Sequence, residues 1–222
     1  MRLRPEEPAA GPWRATPVAS LPALLGHPAV LGIDGRSGSG KSTFAERLAS
    51  EVPGAAVVHT DDLAWYESFF DWAHLLVDGV LEPARRGLAV AFRPPAWEER
   101  GRRGAVVVPA GCPLLIVEGV GVGRRSLTGY LDGLVWVQSD ADLAWRRGIE
   151  RDLAKGEEDP AAFWEEWQAE EVPLLARERP WERAALVVAG TPVLPHDEVV
   201  DVVVAPPTAG RGHATGTSGS SR

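Results

Sequence analysis

The sequence predicts a three-layer α/β fold: a five-stranded parallel sheet flanked by helices, with a small inserted hairpin and a helical lid. Three observations carry this. Short Val/Ile/Leu runs alternate with longer helical stretches, the runs are continuous rather than alternating, and a glycine-rich segment joins the first run to the first long helix. A length of 222 residues suits one domain and allows a sizeable core.

Taken in order, residues 1–28 are rich in Pro, Ala and Gly and are expected to form a loosely ordered arm with one helical turn near 21–25. The domain proper is expected over 29–205. Its strands fall at 29–33, 55–59, 114–117, 134–137 and 185–188, each apolar throughout and so buried on both faces. Helices are expected at 41–51, 70–86, 140–155 and 160–177. Ser139 with Asp142 three residues on reads as a capping box, and Asp159 before Pro160 reads as an N-cap with Pro at the first helical position. Pro173 should kink or end the last helix. Between 88 and 108 the chain contains RPP, PAW and GRRG, the pattern of an irregular inserted hairpin. Residues 206–222 hold no aliphatic side chain larger than alanine and are expected to be a disordered tail.

Composition excludes several classes. With 23 basic against 31 acidic side chains the net charge is −8, which disfavours nucleic acid as a partner. No run approaches the roughly 18 apolar residues of a membrane span, and MRLRPEEP breaks into Pro and Glu before a signal-peptide core forms. A single cysteine, Cys112, excludes an internal disulfide framework and a multi-cysteine zinc site. The chain is therefore expected to be soluble and cytoplasmic, with small molecules rather than membranes or nucleic acids as partners.

The strongest motif is Gly35-Arg-Ser-Gly-Ser-Gly40-Lys41-Ser42, which matches G-x-x-x-x-G-K-[ST] between a predicted strand and a predicted helix. Chance produces such a match roughly 0.002 times in a chain of this composition. Glycines at these positions let successive N–H groups turn inward toward phosphate oxygens, and the helix N-terminus adds its positive end. Gly35, Ser37, Gly38, Ser39, Gly40, Lys41, Ser42 and Thr43 are thus expected to cradle ATP or GTP phosphates, with Lys41 reaching the β/γ-phosphates and Ser42 binding Mg²⁺. Only Lys41 and Lys155 are lysines, so the cation in the motif is no accident of abundance. The chain has no asparagine and therefore no N-K-x-D guanine reader of the usual form. Leu114-Leu-Ile-Val-Glu118-Gly119 ends in one acid rather than the acidic pair common in large motor ATPases, which favours a small kinase.

These residues resemble the uridine kinase-like and phosphoribulokinase-like branch of P-loop kinases. The likeness spans 29–191 and rests on IDGRSGSGKST (33–43), HTDDLAWY (59–66), LLIVEG (114–119), RRGIERD (146–152) and ALVVAGTP (185–192). It implies that the acid after the second strand lies by the acceptor hydroxyl, that the acid ending the third strand assists Mg²⁺, and that lid arginines hold phosphates. On this reading Asp61, Lys41, Arg147 and Arg151 form the catalytic set, and Ser42 and Glu118 form the metal set.

The residue chemistry agrees in kind. Asp61 and Asp62 follow a strand at the sheet edge where α/β folds place ligands, and either carboxylate can take or orient a hydroxyl proton, Asp61 being favoured by its place at the start of the loop. Helix capping is the alternative reading for them. Arg147 and Arg151 share a helix face, either as phosphate-neutralising forks or as a solvated salt-bridge face. Asp62, Tyr66, Phe70, Arg93 and Trp97 complete a candidate substrate set; Arg93 and Trp97 fall where the resembled family carries Tyr-Asp before an aromatic, and Pro95-Ala96-Trp97 lacks both. Expected function is ATP-dependent phosphoryl transfer to a hydroxyl of a small acceptor, a nucleoside first. A nucleotide, sugar acid or antibiotic acceptor, or a non-catalytic ATP-binding regulator, stands as the alternative.

Overall fold

The glycine-rich segment leaves the end of the strand that lies in the middle of the parallel part of the sheet. The computed structural model describes residues 1–208, and its strands are β1 (Arg14–Pro17), β2 (Val30–Gly35), β3 (Ala56–His59), β4 (Val90–Phe92), β5 (Val106–Val108), β6 (Leu115–Glu118), β7 (Gly133–Gln138), β8 (Leu186–Ala189) and β9 (Asp201–Ala205). The main sheet has the order β1-β9-β8-β7-β2-β6-β3. Its five strands from β8 to β3 are all parallel and are the five expected from sequence, within two residues at each end.

The sheet has seven strands, not five. The chain's DVVVA run forms β9, antiparallel to β8 with three valines buried, and β1 adds antiparallel to β9 as the edge. Residues 1–28 are accordingly not a loose arm: they contain β1, and Glu7 within them is almost fully buried. Of the tail expected over 206–222, residues 209–222 lie outside the described residues. Among the described residues no helix is long and apolar enough to cross a membrane.

Alternate strand residues face opposite layers, which explains the continuous apolar runs. Leu31, Ile33 and Ile116 pack with Phe44, Ala45 and Leu48 of α1 (Lys41–Ser50) on one face. Leu115 and Val117 point the other way, toward Leu76, Val80 and Leu81 of α2 (residues 73–85) and toward the β4–β5 hairpin. Helix α2 starts at Ala73, not 70, and contains a π turn over Val77–Leu81. Trp136 on β7 and Val187 on β8 meet Leu174 and Leu175 of α4 (Pro160–Glu178).

The lid is a helical pair, α3 (Ala141–Ala154) and α4. Asp140, not Ser139, caps α3, because one of its carboxylate oxygens accepts from the N–H groups of both Asp142 and Leu143. Asp159 caps α4 as expected, accepting from Ala162 N–H at 3.2 Å. Pro173 does not end α4. Leu174 and Leu175, directly after it, are buried in the core, and their packing carries the helix past the missing N–H. The two lid helices meet where Trp164 covers Gly148, at which any Cβ would collide with the indole.

Candidate active site

Every element of the site leaves the carboxyl end of a parallel strand, the edge at which α/β sheets bind ligands. The phosphate loop follows β2, Asp61 follows β3, Glu118 ends β6, and the lid follows β7. Together they line a cavity of about 750 Å³.

The loop is held in shape by close contacts that only glycine allows. Gly40 is left-handed at φ 97°, and Gly38, at φ 74°, lies against the Ala144 carbonyl of α3. Gly190, just after β8, touches the Ser39 carbonyl so closely that a Cβ would collide with it. Gly190→Ala is expected to cost about 1–3 kcal/mol of stability by overpacking and to weaken nucleotide binding together with it. Thermal melts combined with a titration of a non-hydrolysable ATP analogue check this.

Lys41 opens α1 and is buried, with its Nζ donating to the Arg36 carbonyl at 3.0 Å. Ser42, one residue on, donates from Oγ to Glu118 Oε1 at 2.9 Å. Burial by itself would raise the Glu118 pKa, but the His59 hydrogen bond, the Lys41 charge and the Ser42 hydroxyl together hold it below the usual carboxylate range. His59 Nδ1 lies 2.6 Å from the same oxygen, and that hydrogen bond raises the imidazole pKa. An ionised carboxylate paired with a hydroxyl suits Mg²⁺, which takes few protein oxygens and keeps several waters. Among the described residues there is no cluster of three or more acidic, His or Cys side chains around a metal position.

The loop strand carries a further buried acid that sequence reading passed over. Asp34 is fully buried and accepts from the backbone N–H groups of Gly35, Gly121 and Gly123 at 2.7–2.9 Å, tying the segment after β6 to the phosphate loop. Burial pushes its pKa up to about 6, against these donors. A folded-state pKa above the unfolded value means that its stabilising contribution is complete near pH 4 and is lost as pH rises through 6. The stability advantage of the wild type over Asp34→Asn should therefore shrink by about 2 kcal/mol between pH 4.5 and 7, as read by denaturant unfolding at each pH.

The expected site residues divide by place. Ser37, Gly38, Gly40, Lys41, Ser42 and Thr43 line the cavity, as do Asp61, Glu118, Arg147, Arg151 and Tyr66. Gly35 and Ser39 do not line it. Gly35 lies against the Val137 carbonyl, and Ser39 is fully buried with an unpartnered Oγ. Arg147 donates to the Gly190 carbonyl at 2.9 Å, and Arg151 makes a two-pronged pair with Asp152 that raises its pKa, with Asp61 and Glu118 adding to the shift.

Four members of the candidate substrate set lie elsewhere. Asp62 is paired with Arg102, and its carbonyl accepts from Trp97 Nε1 at 2.8 Å. Trp97 is buried under Arg102, which stacks 3.7 Å from the ring centroid. Arg93 donates to the Gly104 and Arg102 carbonyls within its own hairpin. Asp62 and Trp97 fasten the hairpin to the loop after β3, and Arg93 braces the hairpin from within. Phe70 packs on Trp167 from behind, 5.1 Å between centroids, and its neighbour Phe69 takes the cavity position instead. Phe163 and Trp167, left without a role by sequence, line the cavity with Phe69 at centroid separations of 5.1–6.3 Å.

No family model matches the chain, and no curated protein matches it. Among solved structures, the chain is similar to a possible uridine kinase from Bacillus stearothermophilus, with 22% identity, 71% of this chain and 86% of the other covered, and a TM-score of 0.46. It is similar to a structure named as a fructose transport system kinase from Silicibacter sp. TM1040, at 22% identity, 66% and 86% coverage, and a TM-score of 0.45. A Thermus thermophilus protein shares 25% identity over 75% of this chain and 91% of its own, with a TM-score of 0.43.

Proposed function

We propose that the protein is an ATP-dependent kinase that transfers the γ-phosphoryl group to a hydroxyl of a small acceptor. One observation carries this reading: a phosphate loop with a buried lysine, a hydroxyl–carboxylate pair and a separate free acid, Asp61, share one cavity. A pure nucleotide binder needs only the first of these.

The division of labour follows from the chemistry. Loop amides and Lys41 bind the phosphates and neutralise charge that builds on them during transfer. Ser42 and Glu118 would hold Mg²⁺, which when bound would further neutralise the phosphate oxygens. Asp61 orients the acceptor hydroxyl and takes its proton as the new ester bond forms. Arg147 and Arg151 stand on the lid face of the cavity, and closure brings their guanidinium groups from the Gly190 carbonyl and Asp152 onto the phosphates. Phe69 with Phe163 and Trp167 of α4 gives the cavity an apolar, aromatic surface suited to a flat acceptor, and a nucleoside is the first acceptor to try.

Purified protein with Mg²⁺ and ATP, assayed against nucleosides, nucleotides, sugar acids and aminoglycosides, tests the proposal. ADP release should rise steeply with one acceptor and stay slow without any. Tight ATP binding with no acceptor-stimulated turnover across the panel would favour a regulatory ATP binder instead.

A further inference from the structure

Two buried carboxylates hold neighbouring residues of the phosphate loop, and they anchor it to different bodies. Glu7 accepts from Arg36 Nε and Nη2, both at 3.2 Å, and from Trp136 and Gln138 of β7 at 2.7 and 3.0 Å. Arg36 is thereby fixed to the sheet. Glu171, only 3% exposed on lid helix α4, accepts from the Ser37 N–H at 2.7 Å. The same Oε1 accepts from Trp167 Nε1 at 3.3 Å. Trp167 in turn packs against Phe69 and Phe163 in the aromatic wall.

One carboxylate oxygen thus bridges the phosphate loop and the acceptor wall. We propose that Glu171 is a positioning residue that couples the two, so that nucleotide in the loop orders the aromatic wall before the acceptor arrives. This rests on reading the cavity as a joint nucleotide and acceptor site. Because Arg36 is tied to the sheet and Ser37 to the lid helix, a shift of α4 moves the Ser37 amide and the Trp167 ring as a unit while Arg36 stays with the sheet. The coupling is carried by hydrogen-bond geometry, so an uncharged side chain with an oxygen in the same place retains it.

Hydrogen exchange with the full chain and the ATP analogue AMP-PNP with Mg²⁺ reads this directly, without any acceptor. In the wild type, AMP-PNP should slow exchange at least about fivefold at residues 36–43, and also at 64–70 and 160–170. Glu171→Ala should keep the first response and hold the other two within about twofold of the ligand-free protein. Glu171→Gln, which retains the oxygen, should restore them. Trp167→Phe, which keeps a ring but removes the N–H, should lose the response at 64–70 with the fold intact by thermal melt, and it stands as the test if Glu171→Ala fails to fold. A wild-type response at 64–70 in Glu171→Ala or Trp167→Phe overturns the coupling, and so does Glu171→Gln behaving as Ala. No slowing at 36–43 in the wild type overturns the nucleotide reading itself, and the coupling with it.

Discussion

Lys41→Ala is expected to lower turnover at least about a hundredfold while leaving the fold intact. Lys41 is buried beside the Ser42–Glu118 pair, and its ammonium donates to the Arg36 carbonyl. That bond is local to the loop, and on the proposed function it is exchanged for phosphate oxygens when ATP binds. Charge on those oxygens is redistributed in the transition state, so the ammonium contributes more there than in the ground state, and its loss falls on kcat as well as on ATP affinity. Alanine adds no volume and favours the helix that begins at this position. Steady-state kinetics alongside circular dichroism check the expectation. Unchanged turnover with a native spectrum would remove the loop from the chemistry.

Asp61→Asn is expected to remove most of kcat, by about a hundredfold or more, with ATP affinity within a few-fold of wild type. Asp61 is exposed to the cavity, whereas its neighbour Asp62 is held by Arg102 and by the hairpin tryptophan. The asparagine keeps shape and hydrogen bonding but cannot take a proton. Asp62→Asn should instead loosen the hairpin and lower the melting temperature, with a smaller effect on kcat. Comparison of kcat, the KM for ATP and thermal midpoints for the two variants separates the roles. An ATP affinity that collapses in Asp61→Asn would assign that carboxylate to the metal, and loss of turnover confined to Asp62→Asn would reverse the pair.

How much of this was legible beforehand depended on the kind of signal. The five parallel strands announce themselves because both faces are buried and the runs are apolar throughout. The antiparallel edge does not. Arg-Ala-Thr-Pro in β1 carries no apolar run, and its pairing with β9 joins residues nearly two hundred positions apart. The strand–loop–helix placement of the glycine-rich segment is legible, since Gly38 and Gly40 answer to local backbone shape, whereas the turning of Gly35 and Ser39 away from the cavity is not. The hairpin residues Arg93 and Trp97 have the composition of a binding surface, but Arg93 is taken up by carbonyls of its own hairpin and Trp97 lies buried beneath Arg102. Glu7, Asp34 and Glu171 look like ordinary surface acids in a chain with 31 of them, and only the fold shows that they meet loop atoms. His59 was within reach: parallel pairing of β3 with β6 sets it in register with Glu118.

Phosphorus NMR of the reaction mixture tests the central claim most directly, because it identifies where the transferred group ends. With Mg²⁺, ATP and the stimulating acceptor, a phosphomonoester of that acceptor should grow in step with ADP, and the signal should vanish in Lys41→Ala and Asp61→Asn. Conversion of ATP to ADP and inorganic phosphate alone, at a rate indifferent to every acceptor, would contradict it.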